Sequence, residues 1–298
     1  MIINGVTIED TFAEAFGMKA TRVIITALNE TWARNAAVTM TGFATSVIGS
    51  GIEAGIEATL GIDQTPDGRP GVSVLLFGMS AKDLEKQLER RVGQCILTSP
   101  SSAVYAGMEG AKTINLGRNI RFFGDGFQIS KLIGERRYWR IPVMDGEFVC
   151  EERTAYGDAV GGGNFIVLAA SQEQALTACE AAVVAMRRIP NVIMPFPGGI
   201  VRSGSKVGSK YAALPASTNH QFCPTLRGIT ASRLLPDETS VLEIVVNGLA
   251  DTDVRAAMRA GIEAVCALGS TAGIRRVSAG NYGGKLGQFH FHLREVMA

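Results

Sequence analysis

Two stretches decide the architecture: Arg22-Val-Ile-Ile-Thr-Ala27 and Asn164-Phe-Ile-Val-Leu-Ala-Ala170. Each is a compact β-branched and apolar run followed by a polar cap and a helical pattern. Asn29 caps a helix that runs to Met40, and the capping-box spacing Ser171-x-x-Gln174 opens another that runs to Arg188. Outward from the first stretch, residues 44–48 and 71–77 read as strands. Ser80 then caps a charged helix over 81–91, and residues 94–98 complete the set as a fourth strand. Outward from the second stretch, 191–194 and 241–246 read as strands and 251–268 as a helix. A last strand at 274–279 continues towards 288–293. The order β-α-β-β-α-β therefore occurs twice, which predicts an α+β fold of two tandem ferredoxin-like lobes. Residues 113–150 alternate apolar and polar positions between Gly-Asp-Gly and Asp145-Gly146 turns, an added antiparallel hairpin region. The glycines near 158–163 predict a flexible hinge. It would separate an N-terminal lobe with the hairpin insertion, residues 1–160, from a C-terminal lobe, residues 161–298.

Composition narrows the function classes. The chain has 298 residues, 46% of them hydrophobic, so it can bury a sizeable core and is not intrinsically disordered. Lys and Arg number 29 against 28 Asp and Glu, with no basic stripe, which argues against a nucleic-acid partner. The amino terminus lacks a signal-peptide pattern and no apolar run approaches a membrane span, so a cytoplasmic location without membrane contact is expected. The five cysteines are widely spaced, with no CxxC or Cys/His cluster to hold zinc. His290 and His292 share one strand face, but no third ligand follows, so no metal site is expected.

Glycine is the outlier, at 35 residues, and it is concentrated in short loops. The longest is Pro195-Phe-Pro-Gly-Gly-Ile-Val-Arg-Ser-Gly-Ser-Lys-Val-Gly-Ser-Lys-Tyr211. It lacks Walker spacing, yet its backbone N–H groups with Lys206 and Lys210 suit an anionic or carbonyl-bearing ligand. A second loop, Ala279-Gly-Asn-Tyr-Gly-Gly-Lys-Leu-Gly287, reads equally as a hairpin turn or a binding loop. In Val241-Leu-Glu-Ile-Val-Val246, alternation puts Val241, Glu243 and Val245 on one face. Glu243 is then either a solvated strand residue or a desolvated carboxyl whose raised pKa suits acid/base work. Asp67-Gly68-Arg69 and Phe122-Phe-Gly-Asp-Gly126 read as tight turns.

Several of these segments also carry a resemblance. Ile3-Asn-Gly-Val-Thr-Ile-Glu-Asp-Thr-Phe-Ala-Glu-Ala-Phe-Gly17, Thr65-Pro-Asp-Gly-Arg-Pro-Gly71, Phe122-Phe-Gly-Asp-Gly126, Gly162-Gly-Asn-Phe165, the 195–211 loop and Ser278-Ala-Gly-Asn-Tyr-Gly-Gly-Lys-Leu-Gly287 resemble formylmethanofuran:tetrahydromethanopterin formyltransferases. The resemblance spans essentially the whole chain. It implies transfer of a formyl group between the amine of methanofuran and N5 of tetrahydromethanopterin, through a tetrahedral oxyanion. Both molecules would be co-substrates, with no permanently bound cofactor. It also implies two ferredoxin-like lobes and a homotetramer. The near-neutral charge departs from the acidic archaeal members and favours a bacterial type, working in formaldehyde oxidation with a dephosphorylated pterin. Subunits of a formylmethanofuran hydrolase would then be partners in the same complex.

Carried over by position, the resemblance makes Glu243 the catalytic acid/base. It implies substrate contacts from Pro195, Phe196, Gly198, Gly199, Ser203, Ser205, Lys206 and Ser209 in the first loop. From the second loop it implies Asn281, Tyr282, Gly283 and Lys285. A non-catalytic scaffold that organises the hydrolase is the competing reading, and the glycine loops with Glu243 weigh against it because a scaffold needs neither.

Overall fold

The computed structural model describes residues 1–207, 210, 211, 213 and 218–298. The chain groups into two compact units, residues 18–159 and residues 1–17 with 160–298. Strands β1 (Ile2–Ile3) and β2 (Val6–Ile8) precede the long β3 (Phe12–Thr26). Within unit 18–159, β3 leads through α1 (Glu30–Thr41), whose first turn is capped by Asn29 accepting from Trp32 N. A single turn, α2 (Val47–Ser50), follows, then β4 (Glu53–Leu60), β5 (Gly71–Gly78), α3 (Ala81–Arg91) and β6 (Ala103–Ala106). β3 pairs antiparallel with both β5 and β6, and β4 pairs with the outer edge of β5. All eight residues of β5 are buried, and Val72, Val74 and Leu76 pack against Ala33, Ala37 and Met40 of α1 and Leu84 and Leu88 of α3.

Two strand expectations are corrected here. Residues 44–48 form no strand, because Ser46 caps α2 and Gly51, at φ 73, ends it in the left-handed region; the strand lies further on, at β4. Residues 94–98 are not a strand either. The helical pattern continues past α3 as a π-type turn over Val92–Ile96, closed by Leu97 N donating to Val92 O at 2.9 Å. Val92 and Ile96 extend the buried face of α3, and the strand begins only at Ala103. The hairpin region is more varied than expected. β7 (Thr113–Asn115) pairs with β11 (Arg153–Ala155), and β8 (Ile129–Ile133), β9 (Arg136–Val143) and β10 (Gly146–Glu151) form an antiparallel meander whose β10 runs parallel to β6.

The other unit repeats the same order. β12 (Gly157–Ala169) leads into α4 (Gln172–Met186), then β13 (Val192–Ile193), β14 (Ser240–Gly248), α5 (Asp251–Leu268) and β15 (Ile274–Ser278). β14 and β15 flank β12, and β13 pairs with the outer edge of β14, all antiparallel. The helices lie close because Gly261 of α5 carries no Cβ; one there would stand 2.7 Å from the Met186 sulfur and 2.8 Å from the Phe165 ring. Residues 1–17 group with this unit rather than with 18–159. β2 lies parallel to β15, and Phe12–Ala15 of β3 pair with β16 (Phe289–His292), which is followed by α6 (Leu293–Val296). Gly161–Gly163 sit inside β12 at a register shift, so these glycines shape a bulged strand rather than a free linker.

Candidate active site

The β14 strand places Glu243. Ile244 and Val246 point into the core of its unit, so alternation turns Val241 and Glu243 to the opposite face. That face is covered: Ile166, Leu168 and Phe222 form a small apolar cluster against which Val241 and Leu234 pack. The edge of β14 at this point is taken by the first glycine loop. Val201 and Glu243 exchange both backbone hydrogen bonds at 2.9 Å, an isolated antiparallel bridge. Ser203, two residues on, therefore falls on the same side as Glu243.

The carboxyl group has unequal oxygens. Oε2 accepts from Ser203 Oγ at 3.0 Å and from Asn219 Nδ2 at 2.9 Å, while Asn219 also donates to Ser203 at 3.3 Å. Among the described residues Oε1 accepts no hydrogen bond, and it faces the bare Cα of Gly280, where a Cβ would stand 3.7 Å away. A pocket of about 30 Å³, lined by Ile166, Val201, Ser203, Asn219, Phe222, Cys223 and Glu243 among others, opens beside it. Burial pushes the Glu243 carboxyl above the usual carboxylate range, and the neutral donors Ser203 and Asn219 only partly oppose the shift. The residue is half-buried as a whole, and its carboxyl end is enclosed by protein. Of the two readings open from sequence, these surroundings favour the desolvated carboxyl.

The second glycine loop is built on Glu14, a residue that sequence reasoning passed over. Its buried carboxylate accepts from Tyr282 N (2.6 Å) and Gly284 N (2.9 Å) on Oε2, and from Leu286 N and Gly287 N (both 2.6 Å) on Oε1. Burial alone would raise its pKa, but the four N–H groups outweigh it and hold the carboxyl at about 2. Gly280 is clamped as well. Its N–H donates to Asn164 Oδ1 at 2.7 Å, and its carbonyl accepts from Asn164 Nδ2 at 3.1 Å and from Glu14 N at 3.2 Å. Asn164, Asn219, Gly280 and Glu14 were not singled out from sequence, because isolated Asn and Gly residues carry no spacing signal. Glu14 showed only within the 3–17 segment that carries the resemblance.

The expected substrate contacts are scattered in their surroundings. Ser203 meets Glu243 directly, and Asn281 donates to Phe12 O at 3.0 Å and holds the loop next to Gly280. Tyr282, Gly283 and Lys285 are exposed at the crest of the second loop. In the first loop, Phe196 is half-buried ahead of the turn Pro197–Gly199, and Gly198 and Ser205 are exposed. Pro195 and Gly199 are buried, and Gly199 abuts Val183 and Met194 of its own core. Lys206 donates to Tyr211 O at 3.0 Å, which ties it into the loop itself, and Lys210 lies 5.6 Å from the Tyr211 ring. Ser209 lies outside the described residues.

Of the motifs read as turns, 65–71 is one, while residues 122–124 end a 3₁₀ helix (Ile120–Gly124) that closes through left-handed Asp125. Asp67 accepts from Thr26, Arg69 and Tyr105, which locks the 65–71 segment. His290 and His292 flank the Phe12 ring at 5.1 and 5.2 Å, and among the described residues no group of three or more His, Cys, Asp or Glu could hold a metal ion. No helix among them is long and apolar enough to cross a membrane.

Comparison with known proteins agrees along the whole chain. Residues 1–143 match the model of the formylmethanofuran-tetrahydromethanopterin formyltransferase family, and residues 146–296 match that of its proximal lobe. A formylmethanofuran–tetrahydromethanopterin formyltransferase of Methylococcus capsulatus is 69% identical over 298 residues, with both chains fully covered. The solved formyltransferase/hydrolase complex of Methylorubrum extorquens, in complex with methylofuran, contains a chain of TM-score 0.96 and 52% identity, covering 100% of this chain and 99% of that one. The formyltransferase of Methanosarcina barkeri aligns with TM-score 0.92 at 46% identity, covering 99% and 100%. This chain belongs to the formylmethanofuran–tetrahydromethanopterin formyltransferase family.

Proposed function

We propose that this chain, a formyltransferase by family, moves a formyl group between the amine of methanofuran and N5 of tetrahydromethanopterin, with Glu243 as the proton carrier. One observation carries the assignment of Glu243: a desolvated carboxyl with Oε2 tethered by Ser203 and Asn219 and Oε1 open towards Gly280. The attacking nitrogen donates its lone pair to the formyl carbon, and the C=O π pair moves to oxygen as a tetrahedral oxyanion. When the oxyanion collapses, the bond to the donor nitrogen breaks. One proton must pass from the attacking to the departing nitrogen, and a carboxyl whose pKa burial raises is the group placed to accept it and release it again. Backbone N–H groups of the first glycine loop are the candidates to hold the oxyanion, worth about 3 kcal/mol per donor in other acyl-transfer enzymes, since those of the second loop are taken by Glu14, Asn164 and Asn281. Ser203, Ser205, Ser209, Phe196, Gly198, Asn281, Tyr282, Gly283 and Lys285 are the proposed substrate contacts. Pro195, Gly199 and Lys206 are proposed to shape the first loop.

The strand order in each unit supports the finer reading of the fold. β6-β3-β5-β4 and β15-β12-β14-β13 both follow the antiparallel order 4-1-3-2 of a ferredoxin-like βαββαβ module. We assign the chain to a homotetramer in the cytoplasm, associated with formylmethanofuran hydrolase subunits as in the Methylorubrum complex. Exposed Phe122, Phe123, Phe127, Leu132 and Ile133 on the hairpin region support contacts with other chains. A formyl-transfer assay on the purified protein tests the function. Absence of transfer from formylmethanofuran to the pterin by the folded protein would leave the scaffold reading standing. Light scattering tests the assembly, and a stable monomer would overturn it.

A further inference from the structure

We infer that Glu14 is a positioning residue for the transfer: its ionised carboxylate holds the 280–287 loop, whose Gly280 faces the open oxygen of Glu243. The inference rests on the proposed role of Glu243. Four backbone N–H groups, from Tyr282, Gly284, Leu286 and Gly287, converge on one buried carboxylate, and among the described residues no cationic side chain contributes. A surface hairpin needs no such anchor. The convergence depends on consecutive left-handed residues, Gly283 at φ 74 and Gly284 at φ 71, which turn the peptide N–H groups inward as an anion nest. It also depends on Gly287, where a Cβ would stand 2.4 Å from Ala15 O and 2.8 Å from Glu14 Cγ.

The anchored loop does two things. Its first residue, Gly280, is fixed by Glu14 N and Asn164 and presents a bare Cα to Glu243 Oε1. Its crest turns the side chains of Tyr282, Lys285 and Leu286 outward while the N–H groups of Tyr282, Gly284, Leu286 and Gly287 point to Glu14. Glu14 makes no contact with Glu243, so it acts through loop position. Because its carboxyl stays ionised down to about pH 2, the anchor is constant over the working range and leaves the pH profile to Glu243.

Glu14→Gln tests this. The amide turns an N–H₂ donor towards two backbone donors and removes the charge that gathers the other two. KM for the formyl donor or the pterin should rise by roughly tenfold or more while the pH midpoints of kcat stay at the wild-type values, since a loosened wall costs orientation and not proton affinity. Glu14→Asp keeps the charge and should recover part of the loss. Hydrogen exchange should show lost protection at the amides of residues 282–287 while the α4 and α5 amides stay protected. Gly283→Ala strains the nest through its left-handed backbone alone, since φ 74 disfavours alanine while nothing lies within 4 Å of the new Cβ, so the core packing of the unit is left as it is. It should raise KM in the same direction by a smaller factor, and unchanged kinetics for Gly283→Ala would overturn the inference. So would a folded Glu14→Gln protein with wild-type KM values and kcat, or with retained protection of the loop amides. Full activity of Glu243→Gln instead overturns the reading of Glu243, and leaves the loop measurements to judge the anchor alone.

Discussion

Glu14 and Glu243 are two enclosed carboxyl groups in one unit, and they are driven in opposite directions. Burial raises both. At Glu14 four peptide N–H groups overcome it and hold the pKa at about 2, whereas at Glu243 two neutral side-chain donors, both on one oxygen, do not. The difference lies in the donors. Backbone N–H groups in a glycine nest are fixed dipoles that can converge on both oxygens, while a hydroxyl and an amide at one oxygen leave the other unsatisfied. Environment, not residue type, divides the anion that anchors a loop from the carboxyl proposed to carry a proton.

The largest test of this contrast is kinetic. Glu243→Gln should lower kcat by roughly 10²–10⁴ with substrate binding retained, because the amide keeps the shape but cannot exchange the proton. Activity within about threefold of wild type across pH would remove Glu243 from the chemistry and leave backbone donors as the main element.

The next tests read stability against pH and should give opposite signs. A carboxyl raised on folding contributes stability below its unfolded pKa, which is 4.5 for Glu243, and loses it as pH rises through the folded value. Glu243→Gln should therefore be more stable than wild type at pH 7, by roughly 0.5–2 kcal/mol, with the gap closing below pH 4.5. A carboxyl lowered on folding contributes stability above its unfolded pKa and loses it as pH falls through the folded one. Glu14→Gln should lower the melting temperature at pH 7 by roughly 5 °C or more, converging with wild type between about pH 4.5 and 2. Thermal melts across pH measure both, and shifts of equal sign would break the comparison.

Smaller effects should come from the groups around the two carboxyls. Because Ser203 and Asn219 lower the Glu243 pKa, removing either should raise it further. Ser203→Ala or Asn219→Ala should move the acid limb of kcat/KM to higher pH and lower the rate by roughly threefold to tenfold; a limb that stays in place would show that Oε2 is not their partner in solution. The smallest change is expected at the lysines. Lys285→Ala should raise KM a few-fold, more at low salt, while Lys206→Ala should act less through charge because its ammonium already binds Tyr211 O. Equal salt dependence for both would contradict that ranking.

The alternation of residues 241–246 placed Glu243 opposite the core from sequence, and the twofold β-α-β-β-α-β order and the helix over 251–268 were legible for the same reason: periodicity and caps are local. Where a local pattern was weak, competing local signals won. Ser46 and Gly51 converted an expected strand into one helical turn, and the apolar face of α3 carried helical turns through residues 92–96. Whether Glu243 is solvated was not a local question, because its cover comes from Val201, Asn219 and Phe222, between 21 and 42 residues earlier in the chain. The same holds more strongly for Glu14, whose partners lie 268 to 273 residues away. The sequence by itself determined which residues alternate, cap and turn, since those forces act within a few bonds. Only the tertiary structure decided what each carboxyl faces, and so which way its pKa moves, because desolvation and converging N–H groups depend on which distant segments fold against it.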